Sequence, residues 1–251
     1  LTVFIHAQDH HLRNQGVINE GAISTRLGLP PVPETAETVA VSTALLLVEQ
    51  TGVRAHFCRI STARAVRMIV DAKQAGLPVS ADVGICYLYL TEQNVDGYNA
   101  NCHLLPPLRR LEDRDALLRG LTDGTIDAVC SDHQPLNADA KLAPFNLTTP
   151  GASTIEVLLP LMLDLVHKGH LTPLQAFEKL ALNPARILDL DSGSIEKGRV
   201  ADIIVIDPEQ TWTVKPADLQ SAGKNTPFAG WELFGRVTHT ILNGRPVYPF
   251  T

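Results

Sequence analysis

The sequence has no cysteine pair at CxxC spacing, no apolar run of the ~20 residues a membrane span needs, no basic excess, and no glycine-rich phosphate fingerprint behind any strand-like segment. Each absence removes a class of function. The four cysteines, Cys58, Cys86, Cys102 and Cys130, are scattered, and three lie in or beside apolar strand-like runs. They read as buried free thiols in a reducing cytoplasm rather than a disulfide frame. The longest apolar run, Val157 to Val166, is interrupted by Pro160 and Asp164, so no membrane partner is expected. A formal charge of −6 argues against nucleic acid, because phosphate binding needs a basic face.

What is present is an ordinary globular balance, 45% apolar and 19% charged over 251 residues, enough for one large domain or one and a half smaller ones. Strand and helix patterns alternate up to about residue 190. Thr2–His6 reads as a strand, 34–50 as a helix stopped by Gly52, and Arg54–Cys58 as a strand. Residues 61–74 read as a helix with Ser61 or Thr62 as N-cap and Ala65, Ile69 and Ala72 on one face. Leu77–Val83 is the next strand, Glu112–Leu121 a helix ended by Asp123-Gly124, and Ile126–Cys130 a strand. Helices over 154–167 and 173–182 complete the region. Repeated strand–helix units mean a parallel sheet, doubly wound or closed as a barrel, with polar clusters past the strand ends where active sites sit in both.

From Asp191 glycines punctuate short β-rich runs, Ala201–Asp207, Trp212–Val214 and Val237–Leu242, and Asn243-Gly244 is a hairpin turn signal. Residues 1–190 and 191–251 are therefore expected to form an α/β unit and a small β unit. Leu1 opens in mid-strand with no signal peptide ahead of it, the pattern of a fragment or processed product.

Several segments in order resemble class I dihydroorotases of the amidohydrolase superfamily: GVINEGAISTRLGL at 16–29, Ile60-Ser61-Thr62 ahead of a helix, Pro106-Pro107-Leu108-Arg109, DGTIDAVCSD at 123–132, Asp132-His133 with Pro135, KLAPF at 141–145, Asn183-Pro184-Ala185, GRVADIIV at 198–205 and NTPFAG at 225–230. The resemblance implies the second half of a TIM-type (β/α)8 barrel followed by part of a small β-sandwich. Leu1–His6 is then the fifth barrel strand, and the first four lie outside this sequence. It also implies hydrolysis of a cyclic amide, dihydroorotate to carbamoyl-aspartate, by zinc-bound hydroxide with a carboxylate moving the proton.

By the same resemblance His6 is a metal ligand, and Asp132 is both metal ligand and catalytic proton shuttle. The position of the sixth-strand histidine ligand is Arg59, a permanent cation that offers only donors; His56, three residues earlier, reads as a core-strand histidine. Substrate-contact positions carry Leu105, Leu136 and Asn146, and Ile85-Cys86-Tyr87 stands where the family has Pro-His-His. Fold-bearing motifs survive while polar site positions fail, so zinc is expected to be weakly held or absent. Non-catalytic homologues of the family assemble with aspartate transcarbamoylase, which implies an oligomeric, structural role for this chain. An active dihydroorotase with an altered site and a hydantoinase-like hydrolase are the alternatives.

Overall fold

The computed structural model describes residues 1–248. In chain order the elements are β1 (Val3–His6), α1 (His10–Arg13), β2 (Ile18–Asn19), α2 (Ala22–Leu27), β3 (Pro31–Val32), α3 (Thr35–Thr51), β4 (Ala55–Cys58), α4 (Ala63–Gln74), β5 (Val79–Gly84), α5 (Leu111–Asp123), β6 (Ala128–Cys130), α6 (Ile155–His167), α7 (Pro173–Phe177), α8 (Asn183–Leu188), β7 (Ile203–Thr213), β8 (Glu232–Leu242) and β9 (Arg245–Tyr248). Among them no helix is long and apolar enough to cross a membrane.

Strands β1, β4, β5 and β6 form a parallel sheet in sequential order. A doubly wound sheet reverses its order at a switch point; a barrel does not. The sheet is a barrel segment. Side chains alternate along each strand. Ala55 and Phe57 of β4 are buried in the apolar core, whereas His56 faces Ser80 and Asp82 of β5 on the side that a barrel makes its lumen.

The helix ends follow local chemistry. The Thr62 hydroxyl accepts from Ala65 N and starts α4, whose Ala65, Ile69 and Ala72 are buried. Gly52 and Gly124 close α3 and α5 with left-handed φ of 66° and 89°. The helix expected over 173–182 is α7 followed by a wide π turn at Glu178–Leu182, and α8 continues beyond the expected end. Pro184 has no N–H to give the preceding turn, and its ring crowds that turn's carbonyl. Lys179 Nζ donates to the Ile126 carbonyl and Asn183 Nδ2 to that of Asp127 (2.9 Å), which fastens this turn beneath β6.

Strands β7, β8 and β9 form an antiparallel sheet. The two short strands expected within 201–214 are one strand, β7, with an irregularity between Asp207 and Thr211 that absorbs Pro208. Asn243 and Gly244, at φ 50° and 74°, make the tight turn from β8 to β9. The sheet meets the barrel segment through α6. Gly235 has a left-handed φ of 90°, which favours glycine, and a β-carbon there would press on Leu163 Cδ1. All four cysteines are free: Cys58 and Cys130 half-buried in β4 and β6, Cys86 and Cys102 buried in 3-10 turns rather than strands.

Candidate functional site

The C-terminal ends of the parallel strands bring together His6, which ends β1, Arg59, one residue past β4, Gly84, which ends β5, and Asp132, two past β6. Arg59 and Asp132 both adopt left-handed backbone, φ 55° and 46°. Such conformations are costly for a residue with a side chain and persist where neighbours fix them. At Arg59 the fixing group is Asp82, whose Oδ1 accepts the Arg59 backbone N–H at 2.8 Å. So held, the arginine Nη1 donates to Asp132 Oδ1 at 2.7 Å, and Gln134 Nε2 donates to the same oxygen at 3.0 Å. Burial disfavours the guanidinium charge, but Asp132 overrides it and holds Arg59 above its usual value. His6, exposed at the end of β1, is held below the usual imidazole range, first by partial desolvation and then by Arg59.

Tyr87 lies against the same carboxylate. A β-carbon on Gly84 would be 2.9 Å from the Tyr87 ring and 3.6 Å from Asp132 Cβ. The phenol is buried, donates to the Pro106 carbonyl at 2.5 Å, and is pushed well above its ordinary value by burial and then by Asp132. An apolar ring and a thiol, Cys86, fill the segment where the resemblance implies imidazoles.

The remaining expected site positions take structural places. His133 Nδ1 accepts from the N–H groups of Thr154 (3.0 Å) and Ile155 (3.2 Å), so it caps the start of α6. Leu136 is half-buried, and its backbone N–H donates to Asn225 Oδ1 at 2.8 Å. Asn225 Nδ2 donates in turn to the carbonyls of Gln134 and Gly151, both at 3.1 Å. The Asn-Thr-Pro-Phe motif is thus the clamp on the loop after β6. Leu105 is half-buried and Asn146 is exposed. Neither leucine side chain can hydrogen-bond a polar substrate.

These residues do not fit a divalent metal at the mouth. Asp132 Oδ1 already accepts two donors, and one of them carries a permanent positive charge where a third ligand is needed. One layer deeper the donors differ. His56 Nε2 is 2.9 Å from Asp82 Oδ2, its Nδ1 is 2.8 Å from Ser80 Oγ, and Cys130 Sγ donates to Asp82 Oδ1 at 3.3 Å. Donor atoms of His56, Cys58 and Asp82 all lie within 4.8 Å of one another, a group able to hold a metal ion.

Sequence reasoning missed Asp82 and Gln134, and also a buried carboxylate behind the site. Glu37 of α3 is 4% exposed and accepts from the backbone N–H groups of Ser61 (3.0 Å) and Thr62 (3.1 Å) and from both of their hydroxyls. Arg109 continues the network: its Nε donates to Ser61 Oγ (3.1 Å) and its Nη1 to Asn19 Oδ1 (2.8 Å), while Asn19 Nδ2 donates to Glu92 Oε2 (2.6 Å). Three of the resemblance-bearing segments, at 16–29, 60–62 and 106–109, are therefore parts of one buried polar network. The available signal was periodicity, since Glu37 shares the helix face of Val41 and Val48, both buried.

The chain resembles known proteins along its length. It is 45% identical over 244 residues to a dihydroorotase-like protein of Pseudomonas putida, covering 97% of this chain and 57% of that one. It is 44% identical over 246 residues to a dihydroorotase of Syntrophus aciditrophicus, covering 98% and 58%. The chain thus spans under two thirds of the curated relatives it matches. The crystal structure of a dihydropyrimidinase from Brevibacillus agri superposes with a TM-score of 0.85 at 26% identity, over 98% of this chain and 56% of that one. The amidohydrolase family profile matches residues 3–247, and the chain belongs to that family.

Proposed function

We propose that the protein is a dihydroorotase-like member of pyrimidine biosynthesis that no longer hydrolyses a cyclic amide and serves as a structural partner of aspartate transcarbamoylase. The 2.7 Å ion pair between Arg59 Nη1 and Asp132 Oδ1 carries the reading. A carboxylate that is to take a proton from an attacking water needs a free lone pair and full basicity. The Arg59 guanidinium, which stays protonated, occupies Oδ1 and sets a fixed cation where the attacking water and its metal would sit. Leu105 and Leu136 compound the loss, since each polar substrate group left without a partner costs roughly 1–3 kcal/mol. The 45% identity to the Pseudomonas putida dihydroorotase-like protein supports this branch of the family. A retained fold with a closed site calls for another use, and an obligate assembly supplies one.

Co-expression of the full-length protein with the transcarbamoylase of the same organism, followed by gel filtration, tests the partnership. A specific interface of at least ~1,000 Å² survives sizing as one larger species. Two separate peaks, with the transcarbamoylase equally stable and active alone, refute it. A second reading, a cyclic-amide hydrolase of dihydroorotase or hydantoinase type, draws on His6 beside Asp132 and on the 44% identity to the Syntrophus aciditrophicus dihydroorotase. Turnover assays separate the two.

A further inference from the structure

We propose that His56 Nε2, Cys58 Sγ and Asp82 Oδ2 form a binding site for a zinc-type divalent cation in the barrel lumen, distinct from the strand-end site of His6 and Asp132. Two of the ligands, His56 and Cys58, are two apart on β4 and so share a face; Asp82 is on the paired strand β5. Their donor atoms already lie within 4.8 Å of one another. In a tetrahedral site with bonds of about 2.0–2.3 Å, neighbouring donors sit a little under 4 Å apart. Shifts on the order of an ångström complete the arrangement, with His56 Nε2 and Asp82 Oδ2, now at 2.9 Å, moving apart and the fourth position open.

The surroundings prepare it. Without a cation the 2.9 Å contact with the Asp82 Oδ2 acceptor calls for the imidazole proton on Nε2; on binding the proton moves to Nδ1, where Ser80 Oγ at 2.8 Å can accept it, as the outer partner of a metal-bound histidine does. The Arg59 N–H and the Cys130 thiol both hold Asp82 by Oδ1, while Oδ2 faces His56 Nε2 at 2.9 Å, a contact the cation would replace. On binding, Cys58 releases its thiol proton to solvent and the sulfur lone pair forms the metal bond. One thiolate, one carboxylate and a dication sum to zero, so the occupied cluster carries no net charge in a lumen where His56 is 3% exposed. Without a metal, burial and then Asp82 push the Cys58 thiol up to about 11, and the sulfur stays protonated. A thiolate ligand also selects soft or borderline cations over magnesium and calcium.

The test is a cobalt(II) titration of the reduced full-length protein, read by the near-ultraviolet thiolate-to-cobalt charge-transfer absorption. The expected result is a saturable band at about one cobalt per chain that vanishes in Cys58→Ser and persists in Cys130→Ser and Asp132→Asn. No band in the wild type, or a band that survives Cys58→Ser, overturns the proposal. Should Cys58→Ser not fold, cadmium NMR of the wild type decides: a thiolate-shifted resonance supports the site, and a resonance of purely nitrogen and oxygen ligation overturns it.

Discussion

Arg59 and Asp132, 73 residues apart in the chain, meet at 2.7 Å across the mouth of the parallel strands. Both hold left-handed backbone there, so the pair is fixed from beneath as well as by its own charges. Their side chains are 25% and 15% exposed, placing the interaction between the weak surface pairs and the costly buried ones. Arg59→Ala should destabilise the full-length protein by about 1–2 kcal/mol, because Asp132 then keeps only the Gln134 amide. Urea unfolding of Arg59→Ala, Asp132→Asn and the double variant measures the coupling. Single costs that simply add would deny the pair any role in holding the site shut.

Glu37 is the strongest case for a structural carboxylate. Replacing it by glutamine keeps the shape but turns one acceptor into a donor facing the Ser61 and Thr62 groups. A loss of about 1–3 kcal/mol is expected, with no change in any property of the Arg59–Asp132 pair. The same urea series checks it. A neutral Glu37→Gln would mean that the network at Ser61, Thr62 and Arg109 rearranges without cost.

The acid limb of stability should report His103. Its Nδ1 lies 2.7 Å from Thr148 Oγ1 and its ring stacks on Phe145 at 4.8 Å. Burial, then Lys141 and Arg13, lower it to about 4. The unfolded chain takes up this proton near the ordinary value of about 6.5, while the folded one resists. The stability tied to neutral His103 is therefore complete above about 6.5 and lost progressively as pH falls toward about 4, where the folded state also protonates. His103→Gln should flatten that interval in a pH series of thermal midpoints. An unchanged slope in the variant would assign the acid limb elsewhere.

Much of the fold is legible because its signals are local. The Thr62 cap, the stops at Gly52 and Gly124, and the Asn243-Gly244 turn act within a few residues of where they stand. Arg59 and Asp132 could be marked as site positions by resemblance, yet nothing local says that one closes on the other. That needs the register of β4, β5 and β6 and the anchoring of Arg59 by Asp82. The Asp82 cluster was hidden for the same reason: Ser80 and Asp82 look like the solvated face of a strand until β4 brings His56 against them. The continuation into α8 was missed because Pro184 reads as a helix stop, whereas the chain passes it with a π turn before it and Pro184 in the first turn of α8.

Dihydroorotate hydrolysis by the full-length protein, reduced and supplied with zinc, bears most directly on the closed site. With Asp132 held by Arg59 and with Leu105 and Leu136 in place of polar contacts, the rate should equal the uncatalysed one. It should stay there in Arg59→His, since a restored imidazole leaves both leucines unchanged. Turnover above the uncatalysed rate that disappears in Asp132→Asn would contradict this and show Asp132 working as a base despite its arginine.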